Sequence, residues 1–389
     1  MATDILDAVY GCLIGGAIGD ALGAPVEGWY WTKIRETYGR ITELEPGTRG
    51  NTGSLYGGSS GTSYRETYDG PPTPPGAVTD DTTLRHYLCL AIVRKGGRIT
   101  PDDFAAVWLE KLNPNRMWIN ERITLWKLRA GMNPWDTGKG NPPAGCATMA
   151  IAPVGIINAG NPAQAYQDAF NIAFVNQDNE NRDGAATVAA GVAAAFLPGA
   201  TVARVLETMT RHSSFIIRRA IELTMDLAYA SRSVDEFAEK YYARMLDWTW
   251  PSLNWKKEQF FSGSSVELVP ITMAILHLCK GDVNQSIIEA ASFGRDCDTT
   301  ASLCGSIAGA MHGASAIRKD WIETAERGNV AFFEEVEGDP NANFYAMACR
   351  LVEILKREQQ AAQARAELLA TLLAEAGHAE RTQQVLPAD

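Results

Sequence analysis

Residues 294–314 read GRDCDTTASLCGSIAGAMHGA, and this stretch decides the fold. From Ala301 onward the side chains are nearly all small, with Leu303 and Ile307 among them. Small side chains let helix axes approach closely, so the run predicts a central, buried helix. Residues 184–196 (GAATVAAGVAAAF) predict a second one. Helical signals dominate elsewhere. Ile5, Leu6, Val9, Cys12 and Leu13 keep one face of an opening helix apolar. Thr100-Pro101 is an N-cap followed by Pro at N1, with Phe104, Val107, Trp108 and Leu112 behind it. Asn161-Pro162 repeats that opening, and Ser233 to Glu236 reads as a capping box. Alternating strand patterns are nearly absent; residues 40–45 (RITELE) are the best candidate. The body therefore reads as all-α, a compact multi-helix bundle too large for four helices.

Two regions depart from this pattern. Residues 46–76 are dense in Gly and Pro, with Tyr56, Tyr64 and Tyr68 between them, and predict a mobile functional loop. Residues 343–376 form a long pattern of Ala, Glu, Leu and Arg that ends at Gly377. The chain divides on this reading into one domain, 1–342, and a C-terminal helical extension with a polar tail, 343–389. The added helix invites packing on a neighbouring subunit, hence a homo-oligomer.

Composition narrows the function. Of 389 residues, 46% are apolar and 21% charged, and the net charge is −11. No cluster of Lys and Arg tracks a phosphate backbone, so nucleic acid is not an expected partner. No window holds about 18 uninterrupted apolar residues, which argues against a membrane span. The opening segment carries Asp4 and Asp7 where a signal peptide needs basic residues. Seven cysteines without a CxxC pair suggest reduced thiols and a cytoplasmic location. The five histidines are scattered and lack ligand spacing.

The chemistry lies in carboxylates at two helix starts. Thr79-Asp80-Asp81-Thr82 precedes the apolar pattern of Leu84, Leu88, Ile92 and Val93. Taken alone, adjacent aspartates there are ordinary helix caps. Asp296, Asp298 and Thr299 repeat the arrangement before the Ala/Gly-rich helix. Four carboxylates in one place repel unless a cation neutralises them. Carboxylate and hydroxyl oxygens without His or Cys suit Mg²⁺, Mn²⁺ or Ca²⁺ rather than zinc. The polar stretch 176–183, with Asp178 and Asp183, leans towards facing such a site, and residues 247–255 (DWTWPSLNW) read as a packed loop or a pocket rim.

Four segments in order resemble the ADP-ribosylglycohydrolases, among them the dinitrogenase reductase-activating glycohydrolase. They are Gly15 to Glu27 (GGAIGDALGAPVE), Thr79 to Thr82, Met149 to Gly155 (MAIAPVG), and Asp296 to Thr299 followed by Gly305 to Gly313. The resemblance implies an all-α fold and two divalent cations, Mg²⁺ or Mn²⁺. It implies Thr79, Asp80, Asp81, Asp296, Asp298 and Thr299 as metal ligands, with Glu27, Asp80 and Asp298 catalytic. Glu27 would take the proton of the attacking water. The implied reaction is hydrolysis of an N- or O-ribosyl bond, in an ADP-ribosylated protein or a ribosylated small molecule. The alternative is a non-catalytic ADP-ribose-binding or regulatory member. Ala150 stands where the family commonly has Arg, and Arg295 replaces a usual Gly.

Overall fold

The computed structural model describes residues 4–44, 73–249, 263–339 and 341–383. The expected loop and its three tyrosines, and most of the tryptophan-rich segment, fall largely or wholly outside them. Among the described residues there are eighteen α-helices and no β-strand. They are α1 (Ile5–Gly23), α2 (Trp31–Tyr38), α3 (Asp80–Lys95), α4 (Pro101–Lys111), α5 (Ile119–Arg129), α6 (Cys146–Ala150), α7 (Ala152–Ile157), α8 (Pro162–Ile172) and α9 (Asn179–Ala195). There follow α10 (Val202–His212), α11 (Phe215–Tyr229), α12 (Val234–Thr249), α13 (Ser265–Leu278), α14 (Val283–Ala291), α15 (Cys297–His312), α16 (Lys319–Gly328), α17 (Val330–Glu337) and α18 (Phe344–Gln383).

The axis of the fold is α1 against α15. Both are buried almost all round, because a glycine recurs every fourth residue on α1 and meets small residues on α15. A Cβ placed on Gly11 would lie 2.4 Å from the Gly309 carbonyl oxygen, and one on Gly15 would lie 2.5 Å from that of Gly305. On Gly19 it would lie 2.2 Å from the Ala301 oxygen, and on Gly23 2.5 Å from Asp298 Cα. Only glycine permits this backbone-to-backbone contact. The pairing runs antiparallel, so the end of α1 lies beside the start of α15. Helix α9, the second Ala/Gly-rich run, is also central, with Ala185, Val188, Ala189 and Val192 fully buried.

The caps form largely as the residue types require. Thr100 and Asp103 make a reciprocal capping box on α4, and Asn161 accepts from the Gln164 N–H on α8. On α12 the Ser233 hydroxyl accepts from the Glu236 N–H, but the Glu236 carboxylate accepts from Arg232 N–H instead of closing the box. Residues 40–44 form no strand. Ile41 and Leu44 are buried, and the Ile41 N–H donates to Ser292 Oγ at 2.9 Å.

Ile5–Val26 is long and apolar enough to cross a membrane, with a mean hydropathy of 1.5, so an interrupted run passes where an uninterrupted one was sought. Within the protein 78% of that window is buried, as expected of a core helix. All seven cysteines are free thiols. Helix α18 seats Met347, Ala348 and Leu351 in the core and is exposed over residues 359–373, with Leu368, Leu369, Leu372 and Leu373 facing outward. It continues through Gly377, where the sequence pattern predicted its end. A single glycine lowers helix stability by only about 1 kcal/mol, which flanking helix formers offset.

Candidate functional site

Three chain segments converge where α1 ends, α3 starts and α15 starts. The link between the two aspartate clusters is direct: Thr299 Oγ1 donates to Asp81 Oδ2 at 2.8 Å. Clusters 218 residues apart in sequence thus share one site. Glu27 follows the short turn Ala24–Val26 at the end of α1. Its carboxylate oxygen and those of Asp296 and Asp298 lie within 4.8 Å of one another. Among the described residues this is the one group of three or more acidic, His or Cys ligands so closely gathered. Asp80 and Asp81 lie outside that compact trio, and Asp81 is tied to it through Thr299.

The positions follow from local chemistry. Thr79 takes extended backbone as the N-cap of α3 and accepts from the Asp81 N–H at 3.3 Å. Asp296 occupies the corresponding position on α15, yet its side chain makes no cap bond and its carbonyl accepts from Thr300 instead. A carboxylate at a helix start that does not cap is free for another use. Gly23 lets the end of α1 press against Asp298 Cα. Asp298 Oδ1 is buried with no hydrogen-bond partner.

Asp20 was not among the expected site residues, yet it holds the site together. It is fully buried in α1. Its Oδ2 accepts from the Thr79 N–H at 3.1 Å, the Thr82 N–H at 3.2 Å and the Thr82 hydroxyl at 2.6 Å. These bonds fasten the start of α3 to α1. A charge inside an otherwise apolar helix was the available signal. Glu121 was also missed, and nothing in INERITLW marks it. It is fully buried on α5, accepts from Asn176 Nδ2 at 3.1 Å, and leaves Oε2 without a partner.

Electrostatically the site is overloaded with negative charge. Burial, then Glu121 and Asp298, pushes the Asp80 carboxyl up to about 7. Burial followed by the Asp298 charge holds Asp20, Asp81 and Asp296 above the usual carboxylate range. Burial also raises Glu121. Oxygen donors, excess negative charge and the orphaned Asp298 Oδ1 fit a hard divalent cation.

The leaning of segment 176–183 towards the site divides in two. Asn176 and Gln177 are buried, and Asn176 reaches Glu121. Asp183 does not face the site. It accepts from the Ser214 N–H and hydroxyl and from the Tyr166 hydroxyl, capping α11. Ala150 is buried and lines a small apolar cavity with Leu84, Leu88, Trp108 and Ile172. The carbonyl of the preceding Met149 accepts from Arg85 Nη2 at 2.9 Å. His86 is buried against Glu337, with Nε2 and Oε1 2.8 Å apart, a core role.

Comparison with known proteins agrees with this architecture. An uncharacterized Escherichia coli K12 protein, YegU, is 24% identical over 322 residues, covering 80% of this chain and 89% of its own. The ADP-ribosyl-[dinitrogen reductase] glycohydrolase of Rhodospirillum rubrum is 23% identical over 325 residues, covering 81% and 89%. A solved structure, an ADP-ribosylglycohydrolase-related protein complex, superposes with a TM-score of 0.62 over 90% of this chain and 99% of that one, at 20% identity. The family model for ADP-ribosylglycohydrolase matches residues 1–361. On that match the chain belongs to the ADP-ribosylglycohydrolase family.

Proposed function

We propose that the chain is a metal-dependent glycohydrolase that cleaves an N- or O-ribosyl bond. Family membership supports glycohydrolase chemistry at a coarse level. The finer reading rests on one observation: the Thr299–Asp81 bond that joins the two aspartate clusters beside Glu27. Thr79, Asp80, Asp81, Asp296, Asp298 and Thr299 would hold two Mg²⁺ or Mn²⁺ ions. Such ions, when bound, supply positive charge that neutralises the carboxylates and orients vicinal ribose hydroxyls.

Cleavage at an anomeric carbon passes through an oxocarbenium-like state, which nearby negative charge stabilises. Glu27 is partly exposed at the edge of the cluster, between solvent and buried Asp298. There it takes the proton of the attacking water. Asp20 keeps the start of α3, with Asp80 and Asp81 on it, against α1. The substrate is an ADP-ribosylated protein or a related ribosylated small molecule.

The test is release of ribose or ADP-ribose from a panel of N- and O-ribosylated compounds with Mn²⁺ or Mg²⁺. Wild type should turn over at least one of them, and Glu27→Gln should lose about 10²- to 10⁴-fold in rate while still binding metal. Turnover that survives complete chelation, or a fully active Glu27→Gln protein, would overturn this reading.

A further inference from the structure

Arg295 presents a puzzle of local structure. Its φ is +63°, in the left-handed region that side chains avoid. Among the described residues only Lys280 shares this property without being glycine. Lys280 is exposed at the end of α13, whereas Arg295 is 2% exposed and among the largest buried side chains. Glycine would adopt this turn without strain. A buried arginine there must do something that glycine cannot.

Its surroundings show what that is. The Arg295 N–H donates to the Trp29 carbonyl at 2.7 Å, and its own carbonyl accepts from the Gly28 N–H. Together with the antiparallel bridge between Tyr30 and Gly294, this clamps the chain after Glu27 to the chain before Asp296. The side chain reaches the other way. Its Nε and Nη2 grip both oxygens of Glu267, which is buried near the start of α13. A bidentate pair fixes direction as well as distance. The backbone of Arg295 therefore binds the segment that follows Glu27, while its guanidinium is anchored in α13.

We infer that Arg295 is a positioning residue for the proposed catalytic base: its buried bidentate pair with Glu267 pins the left-handed turn that holds Glu27 against Asp296 and Asp298. This rests on the reading of those three carboxylates as parts of one metal site. Arg295 acts through the Gly28 and Trp29 backbone, and the turn without its anchor is free to swing as a glycine turn swings.

Three full-chain variants test this: Arg295→Gly, Arg295→Gly/Glu267→Leu and Arg295→Lys. Arg295→Gly alone strands a buried carboxylate and should melt well below wild type. The double variant removes that carboxylate and restores melting in the presence of chelator. It should still bind Mn²⁺ about 10- to 100-fold more weakly by calorimetry. At saturating Mn²⁺ its kcat should fall further than its KM rises, and Arg295→Lys should recover only part of both. A double variant that matches wild type in Mn²⁺ affinity and kcat would overturn the inference. If neither Gly-containing protein folds, wild-type Mn²⁺ affinity in Arg295→Lys would overturn it as well. Wild type that binds no Mn²⁺ at all would overturn the metal-site reading together with this one.

Discussion

Replacing Asp298 by Asn removes one charge from the most crowded point of the site while keeping the side chain's shape. In the metal-free protein that charge is a liability. It stands among the causes that raise Asp20, Asp80, Asp81 and Asp296, and its own Oδ1 has no partner. For Asp80 the rise from 3.8 to about 7 corresponds to roughly 4 kcal/mol against the charged form. Burial is the largest share, followed by the Glu121 charge and then that of Asp298. Asp298→Asn should therefore leave the metal-free protein as stable as wild type, or up to about 2 kcal/mol more so. With metal the order inverts. Cation at 100 times its Kd stabilises wild type by about 2.7 kcal/mol, and the variant forfeits most of this. A helix-capping carboxylate behaves differently: its loss costs about 1 kcal/mol with or without metal. The assay is thermal melting of both proteins in chelator and in Mn²⁺, beside calorimetric titration and turnover. Equal Mn²⁺ affinity and full turnover in Asp298→Asn would refute the argument, as would a uniform loss of stability in both conditions.

The pH dependence of the metal-free protein carries a related expectation. Asp80 titrates near 7 when folded and near 3.8 when unfolded, so between those values the native state holds the extra proton. Its contribution to stability is complete below about pH 3.8 and is lost as pH rises through about 7; Asp20, Asp81 and Asp296 act in the same direction. The gain in melting temperature from Mn²⁺ should thus shrink steadily between pH 7.5 and about pH 5, and a gain independent of pH would contradict the buried carboxylate cluster. Asp183→Ala should cost about 1–3 kcal/mol through the stranded Ser214 and Tyr166 donors, with kcat unchanged. A selective loss of kcat would place Asp183 back at the site.

What was legible in the sequence was what local pattern encodes. Small residues at 184–196 and 301–314 announced buried helices, and Thr100 and Asn161 announced helix starts. The paired aspartates before two helices pointed to a candidate site, although only the fold could make them neighbours. The partners of Asp20 were hidden because they lie 59 and 62 residues away. Asp183 misled because a polar run before a small-residue helix looks alike whether it faces a cavity or caps a distant helix. Arg295 was visible as a departure from a family glycine, but its meaning depends on a positive φ and a buried partner on α13. Ala150, the other departure, proved to line an apolar cavity.

The glycine contact between α1 and α15 repeats with the helix turn, which bears on how its register is held. In the observed register Gly11 meets Gly309, Gly15 meets Gly305 and Gly19 meets Ala301. Sliding α1 by one turn would set Gly11 on Gly313, Gly15 on Gly309, Gly19 on Gly305 and Gly23 on Ala301. Along the seam each approach would again be glycine on glycine or alanine, but Asp20 would then stand in the place of Gly16, where a Cβ meets Arg85 and Ser306. The slip of four residues amounts to about 6 Å, more than the 4.8 Å that spans Glu27, Asp296 and Asp298. Such a slip would part the three carboxylates. Alignment is thus chosen at the ends of the seam, by Asp7 on Ser315 at one end and by Asp20 on Thr79 and Thr82 at the other. Where a glycine seam repeats with every turn, a handful of polar bonds at its ends helps to select the alignment that gathers the three carboxylates.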